Sequence, residues 1–284
     1  MAFDHSSTVV VSSGTDAIVK LWDARTGLLK CLFRDAQQSV MNVCVSPDNR
    51  FLVGASSDKN SYVWDMQEQH LVHTLTGHTN KVYASLFVDQ RQILTGSHDR
   101  SLRLWDAETG YCSRTALCTS ALNFATIGAN GSGNVATAHL DGHVRIWSVP
   151  QCELVHDIGD LHSQQTTSVD FSPDGNYLLT NSKDGTMKLI DLRGLKVLRE
   201  FSHAKYKNAV SWNRASFSPD GKYVLAGSTS GALCVWNADS GRLELASPEA
   251  AHGATPIACS SWNRSGSQLA SGDNGGILCL WDGA

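Results

Sequence analysis

The sequence predicts an all-β fold, a seven-bladed β-propeller, and three observations carry that prediction. A large apolar residue closing a strand recurs at Trp22, Trp64, Trp105, Trp147, Ile190, Trp236 and Trp281, in steps of 41 to 46 residues. Between these positions, short segments alternate apolar and polar residues and are punctuated by turn clusters, with no sustained helical periodicity. One stretch, Leu75 to Asp106, carries the complete unit: Gly77-His78 opens it and Trp105-Asp106 closes it. Gly-His and Trp-Asp at that spacing, in repeats of about 40 to 45 residues, mark the blades of a propeller.

The blades divide the chain, expected as one domain over 1–284, at approximately 1–34, 35–76, 77–117, 118–159, 160–202, 203–247 and 248–284. The first begins abruptly at Phe3, so the start of its inner strand is expected to be missing; strands follow near Thr8 to Ser12, Ile18 to Trp22 and Leu28 to Phe33. The second turns at Ser46-Pro47-Asp48-Asn49 and has Ala36 where the third has His78, although Ser56 and Asp58 are kept. The fourth keeps Asp141 and Trp147, places His139 at the serine position, and has a flexible turn at Ala129 to Gly133. The fifth carries His162, Ser182 and Asp184 and then Ile190-Asp191. The sixth ends at Trp236-Asn237, with Ser230 in place of the turn aspartate. The seventh ends at Trp281-Asp282, with Asp273 at the serine position and Gly275 at the aspartate position. Its outermost strand is absent, which predicts an exposed edge and makes the chain read as a piece of a longer protein.

In the third blade the residues predict a hydrogen-bond relay: Asp99 orients His78, His78 reaches Ser97, and Ser97 reaches the Trp105 indole. Such a relay satisfies its own members, so it is read as holding the blade together and not as a ligand site. Two tryptophans fall outside the series, Trp212 and Trp262, in matching Ser-Trp-Asn-Arg segments. Packing between blades and a surface contact role both fit them.

Composition excludes several classes. A net charge of −4, from 23 Lys and Arg against 27 Asp and Glu, does not suit a sequence-independent grip on nucleic acid. The eight cysteines form no Cys-x-x-Cys pair and mostly sit in apolar strands, as in Val43-Cys44-Val45, which favours a reducing, cytoplasmic setting. No apolar run approaches membrane-spanning length, so direct membrane insertion is not expected. Asn130-Gly131-Ser132 and Asn263-Arg264-Ser265 match the glycosylation triplet but read as loops. No phosphate loop, nucleophile elbow or zinc-protease helix is present, and the turn aspartates recur once per blade, as a structural repeat does. The expectation is a non-catalytic protein with no cofactor and no metal.

The signature residues identify the chain as a member of the WD40 repeat family. Within it, His73-Thr74-Leu75-Thr76-Gly77-His78, Gly96 to Asp106, the departure Leu189-Ile190-Asp191-Leu192-Arg193, and Ser211-Trp212-Asn213-Arg214 before Phe217-Ser218-Pro219-Asp220-Gly221 resemble the C-terminal propeller of autophagy-related protein sixteen-like scaffolds. That resemblance implies a scaffold that joins autophagy conjugation machinery, or membrane-recruiting partners, and helps direct lipidation of a ubiquitin-like protein to membranes. It also implies a cytoplasmic protein recruited to autophagic or endolysosomal membranes.

Function on such a fold is argued from surfaces. Residues flanking the relay histidine and turn aspartate, Lys81, Tyr83, His98, Leu140, Lys183 and Trp212, form the candidate partner-binding face, mixing aromatic, apolar and basic character. Two further readings compete with it. Trp22-Asp23-Ala24-Arg25 matches the Trp-Asp-x-Arg box of substrate receptors that dock on a cullin-RING ligase adaptor, with Ile190 to Arg193 as a weaker copy; Arg25 pairing with a neighbouring turn is the plainer account. Phe33-Arg34-Asp35-Ala36 lacks the second Arg and the Gly of the phosphoinositide-binding motif Phe-Arg-Arg-Gly, which argues against direct lipid binding.

Overall fold

The computed structural model describes residues 1–128, 133–247 and 251–282. The expected turn at Ala129 to Gly133 and the Asn130 triplet lie mostly outside these. Among the described residues every regular element is a strand, and the strands form seven antiparallel sheets, each a meander in chain order. The fold class is the all-β, seven-bladed WD40 β-propeller that the repeat predicts. The chain divides into two compact units, Met1–Leu122 and Asn123–Ala284.

The first unit holds three blades. Blade one pairs the two-residue strand Ala2–Phe3 with Val9–Ser13, followed by Val19–Asp23 and Leu29–Phe33. Blade two is Val40–Val45, Phe51–Ser56, Ser61–Asp65 and His70–Leu75; blade three is Val82–Phe87, Gln92–Ser97, Ser101–Asp106 and Cys112–Leu117. The second unit holds blade four, from the second residue of its first strand onward (Leu122–Ile127, Asn134–His139, Val144–Ser148, Glu153–Ile158), and blade five (Thr166–Phe171, Tyr177–Ser182, Met187–Asp191, Lys196–Phe201). Blade six is Ala215–Phe217, Tyr223–Gly227, Leu233–Asn237 and Leu243–Ala246. Blade seven has three strands among the described residues, Ile257–Trp262, Gln268–Asp273 and Leu278–Asp282. Its third strand is half-buried, whereas the third strand of blade two is buried throughout, and among the described residues no fourth strand pairs with it.

The same bulge recurs in all six four-stranded blades. Pairing of the third and fourth strands slips by one residue at Trp22, Trp64, Trp105, Trp147, Ile190 and Trp236. A bulge adds local twist and re-aims the side chain it carries, and four of these side chains, Trp64, Trp105, Ile190 and Trp236, pack onto the preceding blade within their own unit. Trp64 joins Val11, Val19 and Leu21 of blade one; Trp105 joins Val53 and Val63 of blade two; Trp236 joins Leu179, Met187 and Phe201 of blade five. Ile190 packs in the same way against Ala136, Val144 and Ile146 of blade four. Burying a side chain of this size is worth about 1.5 to 3 kcal/mol, so the closing residue is the main apolar link between neighbours.

Turn chemistry explains the recurrent polar pairs. In Ser46-Pro47-Asp48, the Ser46 hydroxyl bonds Asp48 and accepts the Phe51 N–H at 2.8 Å; Ser172 and Ser218 repeat the arrangement. The aspartate after Trp22, Trp64 and Trp105 closes the next turn, as where Asp106 Oδ1 accepts the N–H groups of Glu108 and Thr109 at 3.1 and 2.8 Å. These carboxylates spend their lone pairs on local backbone, the usual role of Asp in turns.

Candidate functional site

The relay of blade three is a single polarised chain. The Trp105 indole N–H donates to Thr95 Oγ1 at 2.8 Å, the Thr95 hydroxyl donates to His78 Nε2 at 2.8 Å, and His78 Nδ1–H donates to Asp99 Oδ2 at 2.8 Å. Neutral His78 protonated on Nδ1 satisfies every member of this chain, with the Thr95 hydroxyl as the donor to Nε2. Burial lowers the His78 pKa and outweighs the pull of Asp99, so the neutral form is the stable one. Burial pushes Asp99 up, but bonds from Ser101, the Thr79 N–H and His78 outweigh it and hold its carboxyl below the usual range.

This corrects one member of the expected relay. Ser97 does not bridge His78 and Trp105; its hydroxyl lies against the carbonyls of Asn80 and Lys81, at 3.0 and 2.9 Å, and accepts the Asp99 N–H. Thr95 and Ser97 share one face of the strand, but Trp105 pairs with Ile93 across the sheet, so Thr95 stands two residues from that pair and Ser97 four, beyond the reach of the indole.

A hydroxyl ten residues before the tryptophan recurs. Trp22 donates to Ser12, Trp147 to Thr137 and Trp281 to Ser271, at 2.7 to 2.9 Å. Blade seven therefore has a complete relay that the sequence reading missed: Ser271 meets His252 Nε2 at 2.7 Å and His252 Nδ1 meets Asp273 at 2.9 Å. Asp273 stands two residues early and still closes the turn, accepting the N–H groups of Gly275 and Ile277. Blade five keeps His162, Thr180 and Asp184, but Ile190 has no indole to offer and Thr180 also contacts the Lys188 carbonyl. In blade two Gly54 holds the hydroxyl position, and a Cβ there would lie 2.8 Å from the Trp64 ring; Trp64 donates to Asp35 instead, at 2.7 Å.

The relays position the loops that carry the expected binding residues. In the first unit, the His98 N–H donates to the Lys81 carbonyl at 3.0 Å, and the rings of Tyr83 and His98 stack at 4.0 Å between centroids. Lys81 is exposed and Tyr83 and His98 are half-buried. Burial raises the Tyr83 pKa, so its hydroxyl stays protonated. In the second unit, Leu140 and Trp212 are each 42% exposed, large for apolar side chains in a packed domain. Lys183 donates its N–H to the Gln165 carbonyl, and the Gln165 amide donates to Ser211 beside Trp212.

The matching tryptophans part ways. Trp212 is exposed, whereas Trp262 is half-buried against a cluster of Leu225, Leu233 and Ile257. Asn263 is buried and bonds Ser267 and Gln268, so the asparagine of the second glycosylation triplet is internal while Arg264 and Ser265 are exposed. In the Trp-Asp-x-Arg box, Asp23 is held low by bonds from Lys30 and Thr26, and exposed Arg25 makes no ion pair among the described residues. Arg193 of the weaker copy lies 3.5 Å from Asp191. All eight cysteines are free thiols. Among the described residues no group of three or more His, Cys, Asp or Glu is arranged to hold a metal, and no helix is long and apolar enough to cross a membrane.

Comparison with known proteins places the repeat. The family model "WD domain, G-beta repeat" matches residues 1–23, 29–65, 69–106, 155–191, 195–237 and 247–282. The chain is 35% identical over 283 residues to "Protein tipD" of Dictyostelium discoideum, covering 99% of this chain and 46% of that protein. It is 34% identical over 285 residues to "Autophagy-related protein 16" of Arabidopsis thaliana, covering 99% and 55%, and 31% identical over 286 residues to "Protein Atg16l2" of Mus musculus, covering 99% and 44%. The chain thus spans about half the length of these relatives.

Proposed function

We propose, from the premise that this chain belongs to the WD40 repeat family, that it serves as the propeller of an autophagy conjugation-complex scaffold and helps direct lipidation of a ubiquitin-like protein to membranes. Propellers of this family generally act as non-catalytic platforms for other proteins. The observation that carries the finer reading is identity along 99% of the chain to relatives that include one named for autophagy. On this reading the protein is cytoplasmic and reaches autophagic or endolysosomal membranes through its partners.

The contacts are assigned to relay-side loops: Lys81, Tyr83 and His98 in the first unit, and Leu140, Lys183 and Trp212 in the second. A stacked aromatic pair and an exposed tryptophan offer large area at low entropic cost, and the lysines add charge that steers an encounter. Charge reversal at Lys81 and Lys183, followed by pull-down from cell extract, tests the assignment. Loss of autophagy conjugation proteins from the captured set, with the variant still folded, is the expected result. An unchanged set of partners removes these loops from consideration.

A further inference from the structure

Four blades place a cation two residues before the closing side chain: Lys20, Arg103, Arg145 and Lys188. Three of these cations have a carboxylate in reach. Lys20 meets Asp16, four residues earlier, at 2.8 Å. Arg145 is held between Asp141, again four residues earlier, and Asp157, which faces it across the pairing of the third and fourth strands; its Nη2 and Nε lie 2.8 and 3.1 Å from the two. Lys188 faces Glu200 in the same register, at 3.6 Å, and donates to the Leu161 carbonyl.

Arg103 has neither acid. Asp99, four residues earlier, is already committed: its Oδ2 accepts from His78 and the Thr79 N–H, and its Oδ1 from the Ser101 N–H and hydroxyl. The residue facing Arg103 across the sheet is Thr115. Among the described residues Arg103 makes no hydrogen bond or ion pair, and its Nε, the atom whose counterpart in Arg145 meets Asp157, is buried without an acceptor. The guanidinium lies against Gly77, where a Cβ would stand 2.6 Å from Nη1, so room for the head group depends on glycine there. A half-buried cation without acceptors is under-solvated, and an incoming anion relieves it.

The strand that carries Thr115 is open to such an anion. Cys112–Leu117 stands at the edge of its sheet, is exposed at every residue but Ala116, and includes Arg114 and no acid. The corresponding strands of blades four and five carry Glu153 with Asp157, and Glu200. We propose that Arg103 is a carboxylate-binding site, filled by an acidic segment of a protein partner lying along Cys112–Leu117. The partner supplies from outside what Asp157 and Glu200 supply within their own blades. A planar guanidinium suits the two oxygens of a carboxylate, and the exposed Thr115 hydroxyl adds a neighbouring donor. The site is independent of the autophagy reading, because it uses the outer edge of blade three and not the relay-side loops.

The test titrates the full chain with a blocked hexaglutamate peptide, with its hexaglutamine counterpart and with inorganic phosphate, following the Arg103 Nε–H and Thr115 amide resonances by NMR. A saturable shift with the glutamate peptide alone is expected in the wild type. In Arg103→Gln, read at the Thr115 amide, the dissociation constant should rise about tenfold or more. Thr115→Glu sets a carboxylate where blade five has Glu200, so it should fill the site from within and weaken the peptide as much. No saturable shift, an equal response to glutamine, binding of phosphate as tight as that of the peptide, or an unchanged affinity in either variant overturns the proposal. Should Arg103→Gln fail to fold, Thr115→Glu decides, since it leaves the guanidinium in place.

Discussion

Blade three and blade six meet the same requirement, a buried tryptophan at the bulge, by different means. In blade three the indole N–H enters the Thr95, His78 and Asp99 chain, and every polar atom of that chain has a partner within the blade. In blade six the residue ten before Trp236 is Ala226, so no hydroxyl is available, and the Trp236 N–H is buried without a hydrogen-bond partner. Tyr206 stands edge-on to the Trp236 ring at 5.2 Å, and its own hydroxyl donates to Asn181 of blade five at 2.6 Å. Asn208 extends that contact to Thr167, Asn181 and the Ser182 carbonyl. Blade six thus exchanges a relay inside the blade for polar bonds to its neighbour. The lesson is that packing of a large apolar closing residue is shared by blades three, five and six, and hydrogen bonding of an indole N–H is an addition that a blade can forgo.

The largest expected effect breaks the relay where it branches. Thr95→Val keeps the shape of the side chain and removes its oxygen, stranding both the Trp105 N–H and His78 Nε2 in a buried site. Leaving two buried groups unsatisfied should cost about 2 to 4 kcal/mol in urea unfolding. Ser97→Ala, two residues along, should cost only about 1 kcal/mol, because it removes bonds to backbone groups of Asn80, Lys81 and Asp99 and leaves every side-chain bond of the relay in place. Equal losses would contradict the assignment of Thr95 as the hub.

How far such assignments can be read without coordinates depends on what fixes them. Strand positions follow from alternation and turn residues, and the outer strand expected at His70 to Leu75 is found at those residues. The relay hydroxyl does not follow, because Thr95 and Ser97 present hydroxyls on one face and the choice rests on the register that sets Ile93 opposite Trp105. His252 was obscured by its aspartate moving two positions, from the Asp99 place to the Ser97 place, a shift that keeps the side chain on the same face. The hydroxyl ten residues before each tryptophan was the available signal. Tyr206 left no such trace, since its partner lies in another blade. Arg103 was equally opaque, because a lone arginine in an alternating strand reads as facing water until Gly77 and Thr115 are brought beside it.

A smaller effect should run the other way in blade six. Ala226→Ser places a hydroxyl where Ser12 and Ser271 carry theirs in blades one and seven, within reach of the Trp236 N–H. Satisfying that buried donor should raise stability by about 1 kcal/mol, read as a higher urea midpoint with an unchanged slope. Ala226 is fully buried, and serine adds one atom to it. A loss of stability would show that Tyr206 already occupies the space the hydroxyl needs.

The smallest effect concerns the tight turn that the two blades share. Blade six has Gly231 at φ 86°, and a Cβ there would meet the Gly253 carbonyl oxygen at 2.2 Å, so no side chain fits. Blade three has Arg100 at φ 65° in the same place, exposed, with its N–H donated to Ser97 and its carbonyl accepting from Cys118. A side chain in the left-handed region costs about 1 to 2 kcal/mol, and glycine relieves it while giving back about 0.5 to 1 kcal/mol of unfolded-chain entropy. Arg100→Gly should therefore leave the chain more stable by about 0.5 kcal/mol, raising the melting temperature by about 1 to 2 °C. Because both backbone bonds at Arg100 survive the substitution, a fall in melting temperature would mean that the guanidinium itself contributes to the fold of blade three. The turn would then differ from that of blade six in more than the side chain it tolerates.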